Sequence, residues 1–123
     1  MPFTTLGLSE VLTQQLQRLG YTRPTQVQLQ SIPIGMGGGD LIAGAQTGTG
    51  KTAAFGLPMI DRLVIRSPQP RRPRAPRGLV LVPTRELALQ VQASLQKYGA
   101  PVGVRAIAIV GGVGMRPQVD ALR

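Results

Sequence analysis

The chain has 123 residues, no cysteine, no histidine and a formal net charge of +9. That length allows one domain with a modest core. Disulfides and zinc sites are excluded by composition, and no apolar run reaches the roughly 18 residues that a membrane span needs. Hydrophobic residues make up 42% and aromatics 3%, so the core must be aliphatic. The excess of Lys and Arg fits a polyanionic partner such as nucleic acid. Much of it is gathered in Arg66, Arg71, Arg72, Arg74 and Arg77, which reads equally well as a solvated charged loop. The first residues hold neither a basic region nor an apolar stretch, so a cytoplasmic location is expected.

Ser9 reads as an N-cap, followed by Val11, Leu12, Leu16 and Leu19 at helical spacing. Gly20 ends that helix and residues 21–24 make a turn. A second short helix is expected from Pro24 or Thr25 to Ile32, and the glycine-rich residues 35–39 read as a loop. Residues 40–44 are an apolar run of strand length, followed by Ala45-Gln46-Thr47-Gly48-Thr49-Gly50-Lys51-Thr52. A helix starting near Lys51 carries Ala53, Ala54, Leu57, Ile60, Leu63 and Val64, with a kink or late first turn expected at Pro58. Residues 66–77, rich in Arg and Pro, read as a surface loop. Residues 78–83 read as a second strand, and Thr84 as the cap of a helix running to about Tyr98 with Leu87, Val91 and Leu95 on one face. Residues 102–110 read as a third strand, broken by Gly111 and Gly112. A last helix is expected from about Pro117. The alternation of strands and helices predicts an α/β unit with a parallel sheet covered by helices on both faces. It reads as truncated, with about three strands of such a sheet present.

The segment before Lys51 has the chemistry of a phosphate loop. Gly48 and Gly50 permit left-handed dihedrals and close approach of the backbone, so successive N–H groups can form a nest around phosphates. The helix start adds unpaired N–H groups and the positive end of its dipole. Lys51 brings a charge to the β- and γ-phosphates, and the Thr52 hydroxyl is a candidate ligand of Mg²⁺. Ala45 stands where the strict pattern has Gly, while Gly-x-Gly-Lys-Thr is intact.

Taken together, these residues resemble a known family. Residues 45–52 are similar to motif I of DEAD-box RNA helicases, and Pro83-Thr84-Arg85-Glu86-Leu87-Ala88 to their motif Ia. Gly20-Tyr21-Thr22-Arg23-Pro24-Thr25-Gln26-Val27-Gln28 resembles their Q motif, with Gln26 where the family often has Pro. Phe3 lies upstream where the family keeps an isolated aromatic, and Gly111-Gly112 matches its GG motif. The wording is also similar to the bacterial RhlE-type subgroup. The resemblance implies a P-loop, RecA-like α/β fold, with residues 1–123 as part of a first helicase domain. Residues 1–34 would carry the N-terminal helices and Q motif, and residues 40–123 the phosphate-loop part. It implies ATP with Mg²⁺, and single-stranded or structured RNA, as ligands. Nucleotide contacts are then expected from Phe3, Tyr21, Arg23, Gln28, Ala45, Gln46, Thr47, Gly48, Thr49, Gly50, Lys51 and Thr52, with Lys51 and Thr52 also serving catalysis. RNA contacts are expected from Pro83, Thr84, Arg85, Gly111 and Gly112.

Physical readings stand beside these. The Gln28 amide can pair with the N6 and N7 edge of adenine, or it can be a surface glutamine. Phe3 can lie against the base or anchor the core. Thr84 can be a plain helix cap, and Gly111-Gly112 an ordinary turn. Hydrolysis also needs a carboxylate for Mg²⁺ and a group to place water. The carboxylates are Glu10, Asp40, Asp61, Glu86 and Asp120, and none follows a strand in the required way. The Asp-Glu-Ala-Asp and Ser-Ala-Thr segments of the family are not among these residues, so this segment alone is not expected to hydrolyse ATP. Competing readings are a non-catalytic nucleotide- or RNA-binding module and another P-loop NTPase.

Overall fold

The computed structural model describes residues 2–44, 50–66, 76–112 and 114–122. Its helices are α1 (Glu10–Arg18), α2 (Gln26–Met36), α3 (Lys51–Ile60), α4 (Arg85–Gly99) and α5 (Met115–Leu122). A short 3-10 turn, Phe3–Thr5, precedes α1, and another, Ala100–Val102, follows α4.

Ser9 has the extended backbone of an N-cap, but its side chain does not cap α1. The hydroxyl donates instead to Asp61 Oδ1 at 2.8 Å. Leu12 and Leu16 turn inward and are fully buried. The helix closes as expected at Gly20, whose φ is +87°. Tyr21 N–H donates to Leu16 O at 2.9 Å and Gly20 N–H to Gln17 O at 3.1 Å, the paired bonds of a Schellman end.

Helix α2 begins on a capping box. The Thr25 hydroxyl accepts from Gln28 N–H and the Gln28 side chain accepts from Thr25 N–H. It runs past the expected end at Ile32 to Met36, with Pro33 inside and Gly35 in its last turn rather than in a loop. Packing explains the extension. A Cβ on Gly35 would sit 3.0 Å from Pro58 Cβ, so α2 and α3 cross closely there.

Helix α3 buries Ala53, Ala54, Gly56, Leu57, Pro58 and Ile60, residues that cover more than half of its circumference. It is therefore the central helix. Pro58 does not stop it, and the chain widens into a π turn, Asp61–Ile65, closed by Arg66 N–H on Asp61 O at 2.9 Å. Helix α4 starts on Thr84, whose hydroxyl accepts from Leu87 N–H at 3.2 Å, confirming the cap. Gly99 at its end is obligatory, because a Cβ there would lie 2.2 Å from Val104 Cγ2. Helix α5 starts at Met115, ahead of the expected Pro117. A proline in the first turn forfeits an N–H that has no helical partner anyway.

The core joins the N-terminal segment to α1–α4 through Phe3, Leu6, Leu8, Leu12, Leu16, Ile32, Leu57, Ile60 and Tyr98. Fully burying a leucine or isoleucine contributes about 1.5–3 kcal/mol.

The expected sheet is not seen: no β-ladder is present among the described residues. The segments read as strands, 40–44, 78–83 and 102–110, hold no regular structure apart from the 3-10 turn at the start of the third. Ile42 and Leu81 are exposed to 101% and 85%. Side chains occupy backbone groups that a ladder would use. Ala106 O accepts from Gln92 Nε2 at 3.0 Å and Gln96 Nε2 at 3.1 Å, and Val110 N–H donates to Gln118 Oε1 at 2.7 Å. Residues 78–82 and 104–109 line an apolar cavity of about 620 Å³ against α3 and α4. Apolar composition marks which segments seek burial. A ladder also needs a backbone neighbour in register.

Candidate nucleotide and RNA site

Gly50 is the N-cap of α3 and is left-handed, with φ +90° and ψ 23°. Glycine brings no side chain of its own to cap the N–H groups that follow it. Its carbonyl accepts twice, from Ala54 N–H at 3.1 Å and from Gln28 Nε2 at 3.2 Å. Gln28 is only 5% exposed, and its Oε1 accepts from Thr25 N–H at 2.9 Å. One amide therefore closes the cap of α2 and grips the cap of α3. It keeps one N–H and one lone pair for a further partner. An added Cβ at Gly50 would lie 2.2 Å from Gln28 Nε2 and 3.0 Å from Thr25 Oγ1, so glycine is required there for space as well as for φ.

Lys51 is exposed and Thr52 half-buried on the first turn of α3. Ala45, Gln46, Thr47, Gly48 and Thr49 lie outside the described residues. Among the described residues no three His, Cys, Asp or Glu side chains group as a metal site. Among the described residues of this helix start, Thr52 carries a hydroxyl of the kind expected for a Mg²⁺ ligand. Arg23 and Tyr21 are exposed. Phe3 is 5% exposed and belongs to the core cluster, while it also borders a cleft of about 360 Å³ with Tyr21, Thr22, Glu10 and Gln14.

The opposite end of α3 is held by a carboxylate. Asp61 is 0% exposed. It accepts from Ser9 N–H at 2.5 Å, from the Ser9 hydroxyl at 2.8 Å and from Arg66 Nε at 2.6 Å. Arg66 Nη2 continues to Gly7 O at 2.7 Å. Asp61 is thus spent on structure, away from the helix start where Mg²⁺ would need a carboxylate.

Pro83, Thr84 and Arg85 are exposed at the start of α4, as are Gly111 and Gly112. The structure brings these two motifs together, because Arg85 Nη2 donates to Gly111 O. A Cβ on Gly112, whose φ is +76°, would lie 2.6 Å from the same guanidinium nitrogen. Between the two sites α3 packs on α4, with Gly56 facing Leu95. Glu86 lies in the first turn of α4, where the helix dipole favours a carboxylate.

Tyr21 also meets the last turn of α4. Lys97 Nζ donates to Tyr21 Oη at 2.9 Å. The hydrogen bond from Lys97 holds the Tyr21 phenol below its ordinary value, while burial, followed by the charge of Tyr21, pushes Tyr98 up to about 12.

Sequence reasoning missed the second use of Gln28, although Thr25-x-x-Gln28 is a readable capping box. It also missed Asp61, whose only signal is a lone acid one turn after Leu57 in an apolar helix.

A lysine and a threonine opening a central helix behind a left-handed glycine make a helix start suited to an anion. The profile of the DEAD/DEAH box helicase family matches residues 25–123, and the chain belongs to that family. It is 47% identical over 120 residues to the ATP-dependent rRNA helicase rrp3 of Aspergillus niger, covering 98% of this chain and 24% of that protein. It is 40% identical to the DEAD-box ATP-dependent RNA helicase CshA of Geobacillus kaustophilus, covering 98% and 25%. The crystal structure of the RNA-helicase Prp28 from Chaetomium thermophilum bound to ADP superposes with a TM-score of 0.85 at 40% identity, over 98% of this chain and 29% of that one. The chain thus spans about a quarter of the curated relatives it matches, and its fold is that of DEAD-box helicase RecA-like domains.

Proposed function

We propose that this chain is the ATP-binding part of an ATP-dependent RNA helicase, an enzyme that locally unwinds or remodels RNA using ATP hydrolysis. One observation carries the reading: Gln28, buried and fixed by Thr25, bonds the carbonyl of Gly50 at the start of the Lys51–Thr52 helix. A residue suited to adenine is thereby locked to the residues suited to phosphate. Phe3, Tyr21, Arg23 and Gln28 would serve the nucleoside, and residues 45–50 with Lys51 and Thr52 the phosphates. When bound, Mg²⁺ would neutralise phosphate charge, with Thr52 as its protein ligand. Pro83, Thr84, Arg85, Gly111 and Gly112 would hold an RNA phosphate, a role supported by the bond from Arg85 to Gly111.

Segments 40–44, 78–83 and 104–110 would pair as parallel strands once neighbours lie beside them, and the protein would act in the cytoplasm. The RhlE-type affiliation rests on motif wording alone. Titration calorimetry of ATP, ADP and GTP into the chain tests the nucleotide reading. ATP and ADP should bind, and Lys51→Ala should weaken them by about tenfold or more, the loss of one charge-assisted contact. Affinity for GTP equal to that for ATP would overturn it. Single-stranded RNA should bind with a steep salt dependence.

A further inference from the structure

Tyr21 opens the segment that leads to Thr25 and Gln28, yet it is exposed and its own burial does not hold it. The last turn of α4 does. Lys97 Nζ donates to Tyr21 Oη at 2.9 Å and lies 5.3 Å from the centroids of both the Tyr21 and Tyr98 rings. Those rings meet edge to face, 6.0 Å apart at 69°. Tyr98 belongs to the buried core, and Gln15 Nε2 donates to Lys97 O at 2.9 Å, tying α1 to the same turn. The turn is therefore anchored, and it anchors Tyr21.

We infer that Lys97, outside every helicase motif named above, is a positioning residue of the nucleotide site: it fixes Tyr21, and through Tyr21 the segment that delivers Thr25 and Gln28 to Gly50. The inference rests on the nucleotide-binding reading above. That site has a base part and a phosphate part, joined at the Gln28–Gly50 bond and each with a support of its own. The base half hangs on residues 21–28. The phosphate half, at Lys51 and Thr52, sits on α3, which is held by Leu57 and Ile60 in the core and by Asp61 at its end. Loss of Lys97 should loosen base recognition and leave phosphate binding in place.

The test titrates ADP, GDP and inorganic tripolyphosphate into the wild-type chain, Lys97→Met and Lys97→Arg. Methionine keeps the apolar stem and removes the cation. ADP affinity should fall about three- to tenfold in Lys97→Met, the range of a cation–π contact and an edge-to-face pair. The preference for ADP over GDP should shrink by the same factor. Tripolyphosphate should stay within about twofold, as for a surface substitution remote from its contacts. Lys97→Arg should restore ADP binding, and Tyr21→Phe, which removes only the hydroxyl, should lose part of it. Equal losses for ADP and tripolyphosphate would reduce Lys97 to a folding role and overturn the inference, as would unchanged ADP binding. A wild-type chain that does not prefer ADP to GDP, or binds neither, fails the nucleotide reading itself, and the inference falls with it.

Discussion

Replacing Gln28 by Glu changes one donor into an acceptor with almost no change of shape. The Oε1 atom that accepts from Thr25 N–H at 2.9 Å is kept. The nitrogen that donates to Gly50 O at 3.2 Å becomes an oxygen facing a carbonyl. The side chain is 5% exposed, so water cannot take over. Losing the hydrogen bond costs about 1 kcal/mol, and facing two buried acceptors at each other adds about 1–2 kcal/mol, for a net loss of about 2–3 kcal/mol at pH 7.5. The Gly50 carbonyl and burial raise the introduced carboxyl above its ordinary value of about 4.3. The protonated acid can donate to Gly50 O, so stability is regained below about pH 4.3 and lost as pH rises through the raised value. Urea unfolding followed by far-ultraviolet circular dichroism, at pH 4 and 7.5 for both chains, reads this directly. The gap between variant and wild type should be clearly smaller at pH 4. A gap below about 0.5 kcal/mol at pH 7.5, within the scatter of neutral surface substitutions, would refute the claim that Gln28 holds Gly50.

Asp61→Ala strips the acceptor from Ser9 N–H, the Ser9 hydroxyl and Arg66. Arg66 is half exposed, so the loss should fall at the low end for breaking a buried pair, about 3 kcal/mol in urea unfolding, with Asp61→Asn recovering part of it. Gly50→Ala meets both a φ of +90° and a Cβ position 2.2 Å from Gln28 Nε2. It should cost about 1–2 kcal/mol for the backbone alone and weaken ADP binding in calorimetry, because Gln28 must move. The chain has two tyrosines and no tryptophan, so phenolate absorbance reports Tyr21 and Tyr98 alone. An alkaline titration should resolve one step below pH 10 and one near 12. Because burial raises the value for Tyr98, its contribution to stability is complete below pH 10 and is lost as pH rises towards 12. A single step of double amplitude near 10 would remove the Lys97 contact from the account.

Local chemistry was legible in the sequence. The glycine end of α1, the Thr84 cap and the start of α3 at Lys51 follow from residue type and spacing within a few positions, because each depends on backbone groups only a turn away. Family membership was legible for the same reason, since its motifs are short contiguous runs. Ser9 reads as a cap and is one by backbone, yet its hydroxyl crosses to Asp61, 52 positions along the chain. No local pattern announces such a pair. The apolar segments read as strands formed no ladder among the described residues, since pairing depends on which backbone lies alongside. Likewise, sequence assigned Gln28 to adenine by resemblance, and only tertiary structure assigned it to Gly50, 22 positions away. A side chain's partner is decided by which helices cross, and here α2 crosses α3 closely enough that Gly35 must clear Pro58.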